Sequence, residues 1–309
     1  MTMPLISICI PTYRYGRYIA QAIESVITQD FKDFELIIVD DASDDCTTDV
    51  VSRYAREDSR IIFEVNQNNR GMVQNWNYCL SKCRGKYIKY LFADDYFNSP
   101  AALGQMLSSM EENPEVSLVF SARAVVDETG AQTRILSHFG GRTRLISGRK
   151  LIRYCLARMN NPIGEPTTVM FRKRDALRGY DTRYRQLVDL EMWLHILERG
   201  NALYLSSPLS AFRVHGAQQT NINVRYLQDD RLMLVHDYVK NTLLGRYLEY
   251  CQYYAQWKNI SGMSGEEIAR ITNVISERYG LSAFHRMLLV YKMINPVYKY
   301  LLTPLFFRV

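Results

Sequence analysis

Short apolar runs alternate with amphipathic stretches over the first 120 residues of this chain, and that alternation constrains the fold more than any single motif. The runs at 5–10, 34–39, 61–65, 87–92 and 116–120 are rich in β-branched and aromatic residues and too short for helices, so they read as strands. The stretches at roughly 17–29, 46–57, 72–83 and 100–112 read as helices. Such alternation predicts an α/β fold, a Rossmann-like and mostly parallel sheet with helices on both faces. Ligands of these sheets bind at the carboxyl ends of the strands, so the residues that follow each strand matter most.

The chain has 309 residues, 47% apolar and 23% charged. That is enough for one large domain or a domain with an appendage, and it excludes bulk disorder. The net charge of +6 suits an anionic substrate or a membrane surface. No short Lys/Arg block occurs, which argues against a nucleic-acid partner. The six cysteines form no CxxC and no Cys/His metal spacing, and Cys9, inside an apolar run, reads as a reduced core thiol. A signal peptide and an uncharged run of membrane-spanning length are both lacking, so a cytoplasmic protein is expected. The turn signal Asp127-Glu128-Thr129-Gly130 predicts a hairpin, and 160–166 an ordered loop. A boundary is expected near 220, followed by a helical region over 221–309.

Two pairs of acids follow strands: Asp40-Asp41 and Asp94-Asp95. Adjacent carboxylates repel, so such a pair needs a cation, a donor cluster or water to face. Neither GxGxxG nor GxxxxGK[ST] is present, so a bound nucleotide would have its phosphates handled by carboxylates and a metal. Asp94-Asp95 suits a hard divalent cation, which takes one or two carboxylates plus substrate phosphates. Asp40 or Asp41 suits ribose hydroxyls or a base N–H, while Ser43 or Asp44 also reads as a helix cap. Pro11, Thr12 and Tyr13 end the first strand, and Arg70 lies in a Gly-containing turn after the third. Each of these reads either as a ligand contact or as a plain turn. On a helical wheel, Asp189 falls within the apolar arc, whereas Glu191, His195, Glu198 and Arg199 fall opposite. An inward carboxylate is costly unless it caps, pairs or functions, which favours Asp189 over Glu191 as a general base and leaves an N-cap as the alternative. His215 reads as a metal or phosphate contact, or as a structural histidine.

Taken in order, these pieces resemble the family 2 glycosyltransferases of GT-A fold over roughly residues 4–220. The resemblance rests on Pro11-Thr12-Tyr13 with Ser25-Val26 and Gln29, Val39-Asp40-Asp41 with Ser43 and Asp45, Asn69-Arg70-Gly71 with Asn75, Ala93-Asp94-Asp95, Asp189 before Trp193, and Arg213-Val214-His215. It implies inverting transfer of a sugar from a nucleotide-sugar, UDP- or dTDP-linked, to an acceptor hydroxyl on a saccharide or lipid-linked saccharide. It implies a nucleotide-binding half over 1–120 and an acceptor half over 121–220. It further implies nucleotide contacts from Pro11, Thr12, Tyr13, Asp40, Asp41, Arg70 and Asp94, Mg²⁺ or Mn²⁺ on Asp95 and His215, an acceptor contact at Glu165 and Asp189 as the base. Bacterial surface polysaccharide is the implied product. The alternatives are a metal-dependent nucleotidyltransferase and a non-catalytic nucleotide-sugar-binding protein. Residues 281–309 interleave Arg286, Lys292, Lys299 and Arg308 with aromatics and aliphatics. That pattern fits peripheral contact with an anionic membrane, or packing on the catalytic domain or a second subunit.

Overall fold

The computed structural model describes residues 3–239. In chain order it contains β1 (Ile6–Thr12), α1 (Ile19–Ile27), β2 (Phe34–Asp40), α2 (Thr47–Glu57), β3 (Ile61–Val65), α3 (Met72–Lys82), β4 (Tyr87–Tyr90), β5 (Tyr96–Phe97) and α4 (Ala102–Glu112). There follow β6 (Val116–Val126), β7 (Gln132–Leu136), β8 (Arg144–Ile146), α5 (Gly148–Arg158), β9 (Val169–Arg172), α6 (Val188–Leu197), β10 (Asn201–Arg213), α7 (Gln219–Asn223) and α8 (Leu227–Val239).

β1 and β2 are buried at every position, which is why both read as continuous apolar runs and not as alternating ones. α1 covers them with Ile19, Ala22, Ile23 and Val26, spaced to form one stripe. Each isoleucine or valine buried in this way contributes about 1.5–3 kcal/mol. The sheet runs β3-β2-β1-β4-β9-β6-β10-β5. β3, β2, β1 and β4 pair in parallel, as the alternation predicts. β9 then enters antiparallel between β4 and β6, and β6 pairs in parallel with β10. β6 extends to Val126, beyond the expected end at 120, and turns through 127–130 onto β7. Asp127 Oδ1 closes that turn by accepting the amides of Thr129 (2.9 Å) and Ala131 (3.1 Å).

The chain divides into two compact units, Met1–Ile152 with Asn160–Ile222, and Arg153–Met159 with Asn223–Val309. The first holds the whole sheet. In the second, Arg231 donates to the Met159 carbonyl at 3.2 Å. Residues 281–309, expected to contact a membrane, the catalytic domain or a second subunit, lie outside the described residues. No described helix is long and apolar enough to cross a membrane.

Candidate active site

Parallel register brings the carboxyl ends of β1, β2 and β4 together, with Thr12 beside Asp40. Just beyond β1 and β2, Arg14 and Ala42 both have φ of 60°, left-handed conformations that are costly without glycine. Hydrogen bonds between the two loops hold them. Arg14 N donates to Ser43 Oγ at 2.7 Å, its guanidinium grips Asp44 at 2.6 and 2.7 Å, and Gly16 N donates to Asp45 at 3.0 Å. A Cβ at Gly16 would meet Cys46 Sγ at 2.5 Å, so only glycine permits this approach. Tyr13 is exposed beneath the Arg14 guanidinium. The buried Thr12 hydroxyl has no hydrogen-bond partner among the described residues.

Both acids of the first pair accept hydrogen bonds from their own surroundings. Asp40 accepts Ser43 Oγ (2.5 Å), Ser43 N (3.3 Å) and Thr48 Oγ1 (2.9 Å). Asp41 is 2% exposed and accepts Asn66 Nδ2 (2.8 Å), Arg70 N (2.8 Å) and Gly71 N (2.9 Å). Asp41 therefore holds the 66–71 loop in place. Arg70 is exposed, with its guanidinium over the Tyr78 ring at 4.2 Å.

The second pair faces two ways. Asp94 Oδ2 lies 3.0 Å from His215 Nε2. Asp95 accepts Thr167 Oγ1 (2.5 Å) and the amide of Arg213 (2.9 Å). Burial and the neighbouring Asp94 charge push its carboxyl well above the usual range. The buried Arg213 guanidinium donates to the carbonyls of Asp94, Asp127 and Glu128 and to Gln21, and stacks over Tyr18. Tyr18 and Tyr15 flank the His215 ring at 5.2 and 6.0 Å. Among the described residues no three His, Cys, Asp or Glu side chains converge as a ready metal cage. An Asp–His pair beside a second carboxylate fits the partial ligand set of an ion completed by substrate phosphates.

Asp189 lies in the first turn of α6, whose N-cap is Leu187, so the N-cap alternative fails. From Val188 to Leu194 it is the one residue not buried. Its oxygens accept Leu190 N (2.7 Å) and Asn161 Nδ2 (2.8 Å). Burial, aided by the charge of Glu165, pushes its carboxyl up to about 7 against those hydrogen bonds. Asn161 also bonds across its own loop to Gly164, whose carbonyl accepts Trp193 Nε1. Glu165 forms an ion pair with buried Arg123 at 2.8 Å. Glu191 is not on a solvent face: it is 1% exposed and takes two bonds from Arg178, at 2.8 and 2.6 Å. α6 is buried nearly all round, so the wheel has no solvent side against which to phase it.

Sequence reading gave no role to Asn161, Thr167, Arg213 or Lys89. Asn161 lay within the loop signal and Arg213 within the resemblance. Lys89 gave no signal in an apolar run. It is fully buried, and desolvation pushes its ammonium down to about 7 against the pull of Asp95.

The profile of glycosyl transferase family 2 matches residues 7–178. The chain belongs to this family. An uncharacterized protein of Mycobacterium tuberculosis is 34% identical over 226 residues, 70% of this chain and 69% of its own. TuaG of Bacillus subtilis, a glycosyltransferase named for teichuronic acid biosynthesis, is 28% identical over 213 residues, 68% of this chain and 79% of its own. Among solved structures, S. aureus TarS in complex with UDP-GlcNAc gives a TM-score of 0.68 at 16% identity, covering 96% of this chain and 86% of that one. The mannosyltransferase PcManGT of Pyrobaculum calidifontis, in complex with GDP-Man and Mn²⁺, gives 0.60 at 16% identity, covering 95% and 81%. The likeness to these structures shows that this family 2 glycosyltransferase has the GT-A fold. Family membership removes both alternatives, the nucleotidyltransferase and the non-catalytic binding protein.

Proposed function

We propose that this glycosyltransferase moves a sugar, with inversion, from a UDP- or dTDP-linked donor to a hydroxyl of a saccharide or lipid-linked saccharide acceptor in surface polysaccharide synthesis. The observation that carries this reading is Asp189. An inverting displacement needs one base to take the acceptor proton, and a base works best with a pKa near the working pH. Asp189 combines a carboxyl lifted to about 7, two fixed hydrogen bonds and access from outside an otherwise buried turn. Glu165, on the adjacent loop, would meet the acceptor with whatever capacity Arg123 leaves it.

The donor's nucleoside would lie over Pro11, Thr12 and Tyr13, with Arg70 at its edge. The unpartnered Thr12 hydroxyl supports this placement. Asp40 and Asp41 would serve the nucleoside through the loops they hold. Asp95 and His215 would hold Mg²⁺ or Mn²⁺, with Asp94 beside His215 on the nucleotide side; a bound ion would favour the ionised form of the lifted Asp95 carboxyl. Such an ion, when bound, offsets the charge of a leaving diphosphate.

Two measurements test the reading. Release of nucleoside diphosphate from a set of nucleotide-sugars should stop on chelation and return with Mn²⁺. Full activity in excess chelator would exclude the metal. The rate should rise with pH and level off above about 7, because only ionised Asp189 accepts a proton. A rate independent of pH between about 5.5 and 8.5 would remove a base with this pKa.

A further inference from the structure

Lys89 occupies the middle of the sheet on β4 with no exposed surface. A buried ammonium is costly unless its three protons are all taken. Its partners are three backbone carbonyls, those of Thr167, Tyr90 (3.0 Å) and Pro166 (3.4 Å). No described carboxylate forms an ion pair with it, so its hydrogen bonds fix backbone and do not neutralise a neighbour.

What it fixes is the segment between the two halves of the candidate site. The Thr167 carbonyl takes Lys89 and also Ser210 Oγ at 2.8 Å. The Thr167 hydroxyl accepts Phe92 N at 3.1 Å and donates to Asp95 at 2.5 Å. On the other side, Thr168 N bonds the Glu165 carbonyl at 2.8 Å and Thr168 Oγ1 reaches the Ile163 carbonyl at 3.3 Å. That tie continues the loop in which Asn161 holds Asp189. Lys89 thus stands beneath a short run of chain with Asp95 at one end and the Asp189 anchor at the other.

We propose that Lys89 is a positioning residue: by pinning the Pro166-Thr167 backbone it sets Asp95, on the diphosphate side, in register with the loop that holds Asp189. This rests on the transferase reading above. The alternative is that Lys89 only fills the core. The two differ in what a shape-matched neutral side chain does.

The experiment compares wild type with Lys89→Met, Thr167→Val, Thr167→Ser and the Lys89→Met/Thr167→Val double variant. For each, UDP binding with Mn²⁺ is measured by titration calorimetry, turnover by nucleoside diphosphate release and melting by calorimetry. Lys89→Met withdraws a donor from three buried carbonyls, a cost that shedding a desolvated ammonium partly offsets, so its melting temperature should fall only modestly. It should nonetheless weaken UDP–Mn²⁺ binding and lower kcat, each by about tenfold or more. Thr167→Val should reproduce both losses, and Thr167→Ser, which keeps the hydroxyl, should recover wild-type values. The double variant should be no worse than the poorer single one, because both interrupt one connection. Wild-type binding and turnover in Lys89→Met, additive losses in the double variant, or equal damage from Thr167→Ser and Thr167→Val would each overturn the proposal. If Lys89→Met does not fold, the contrast between the two Thr167 variants decides. Wild type that binds no UDP with Mn²⁺ would overturn the transferase reading and this one with it. Wild type that binds, with variants that match it, would overturn this one alone.

Discussion

Asp189→Asn is expected to bind UDP with Mn²⁺ as tightly as wild type and to turn over about 100- to 10,000-fold more slowly, the range for removal of a general base. The same variant should be the more stable protein at pH 8. The Asp189 carboxyl is lifted from 3.8 to about 7. Between those values the folded protein keeps a proton that the unfolded chain has released, so stability falls as pH rises through the window and is flat above it. Three pH units correspond to about 4 kcal/mol at most, an upper bound because Asp189 is partly open to solvent. An asparagine keeps its bond with Asn161 by presenting its carbonyl, but its amide cannot then accept Leu190 N, which returns about 1 kcal/mol. A net gain of about 1–3 kcal/mol is expected at pH 8, vanishing near pH 4. Urea denaturation at both values, beside a kcat and UDP affinity measurement, checks the whole pattern. Near-wild-type turnover would take Asp189 out of the chemistry.

Asp41→Ala should unfold with about 3–5 kcal/mol less stability than wild type. It strips the acceptor from three buried or half-buried donors, Asn66 Nδ2, Arg70 N and Gly71 N. Gly71 N keeps a second acceptor in Asn69 Oδ1 at 3.0 Å, so the donors left without a partner are Arg70 N and one proton of Asn66 Nδ2, each costing about 1–3 kcal/mol, reduced where water can enter. Asn66 also bonds Asn75 Oδ1 at 3.0 Å, so the loss spreads into α3. UDP affinity should fall with stability, because the same loop carries Arg70. A direct nucleoside contact at Asp41 would behave differently: affinity would drop while the urea midpoint stayed in place. Measuring both on one variant separates an acid that touches substrate from one that holds the loop around it.

These two acids show what a linear chain reveals. Asp41 was legible as important, since an acid pair after a buried strand has to face something. What it faces was not, because its three donors come from a loop 25 to 30 residues away. Asp189 stood out for a narrower reason: the wheel placed its carboxylate within the apolar arc of its helix. The same wheel misplaced Glu191, because a helix buried on all sides has no polar face and Arg178 arrives from outside the helix. Lys89 sat in an apolar run as an apparent irregularity. Its partners are carbonyls, which carry no residue identity for a pattern to detect.

By itself, the sequence determined the parallel core of β1 to β4, the turn from β6 into β7 and the acids at the strand ends. These follow from local periods and turn chemistry, which need only near neighbours along the chain. Tertiary structure alone decided the antiparallel entry of β9, the pairing of His215 with Asp94, and the use of Asp40 and Asp41 as loop anchors. Those choices depend on which distant groups meet in a solvent-poor interior. There every donor and acceptor needs a partner, and only the folded chain supplies it.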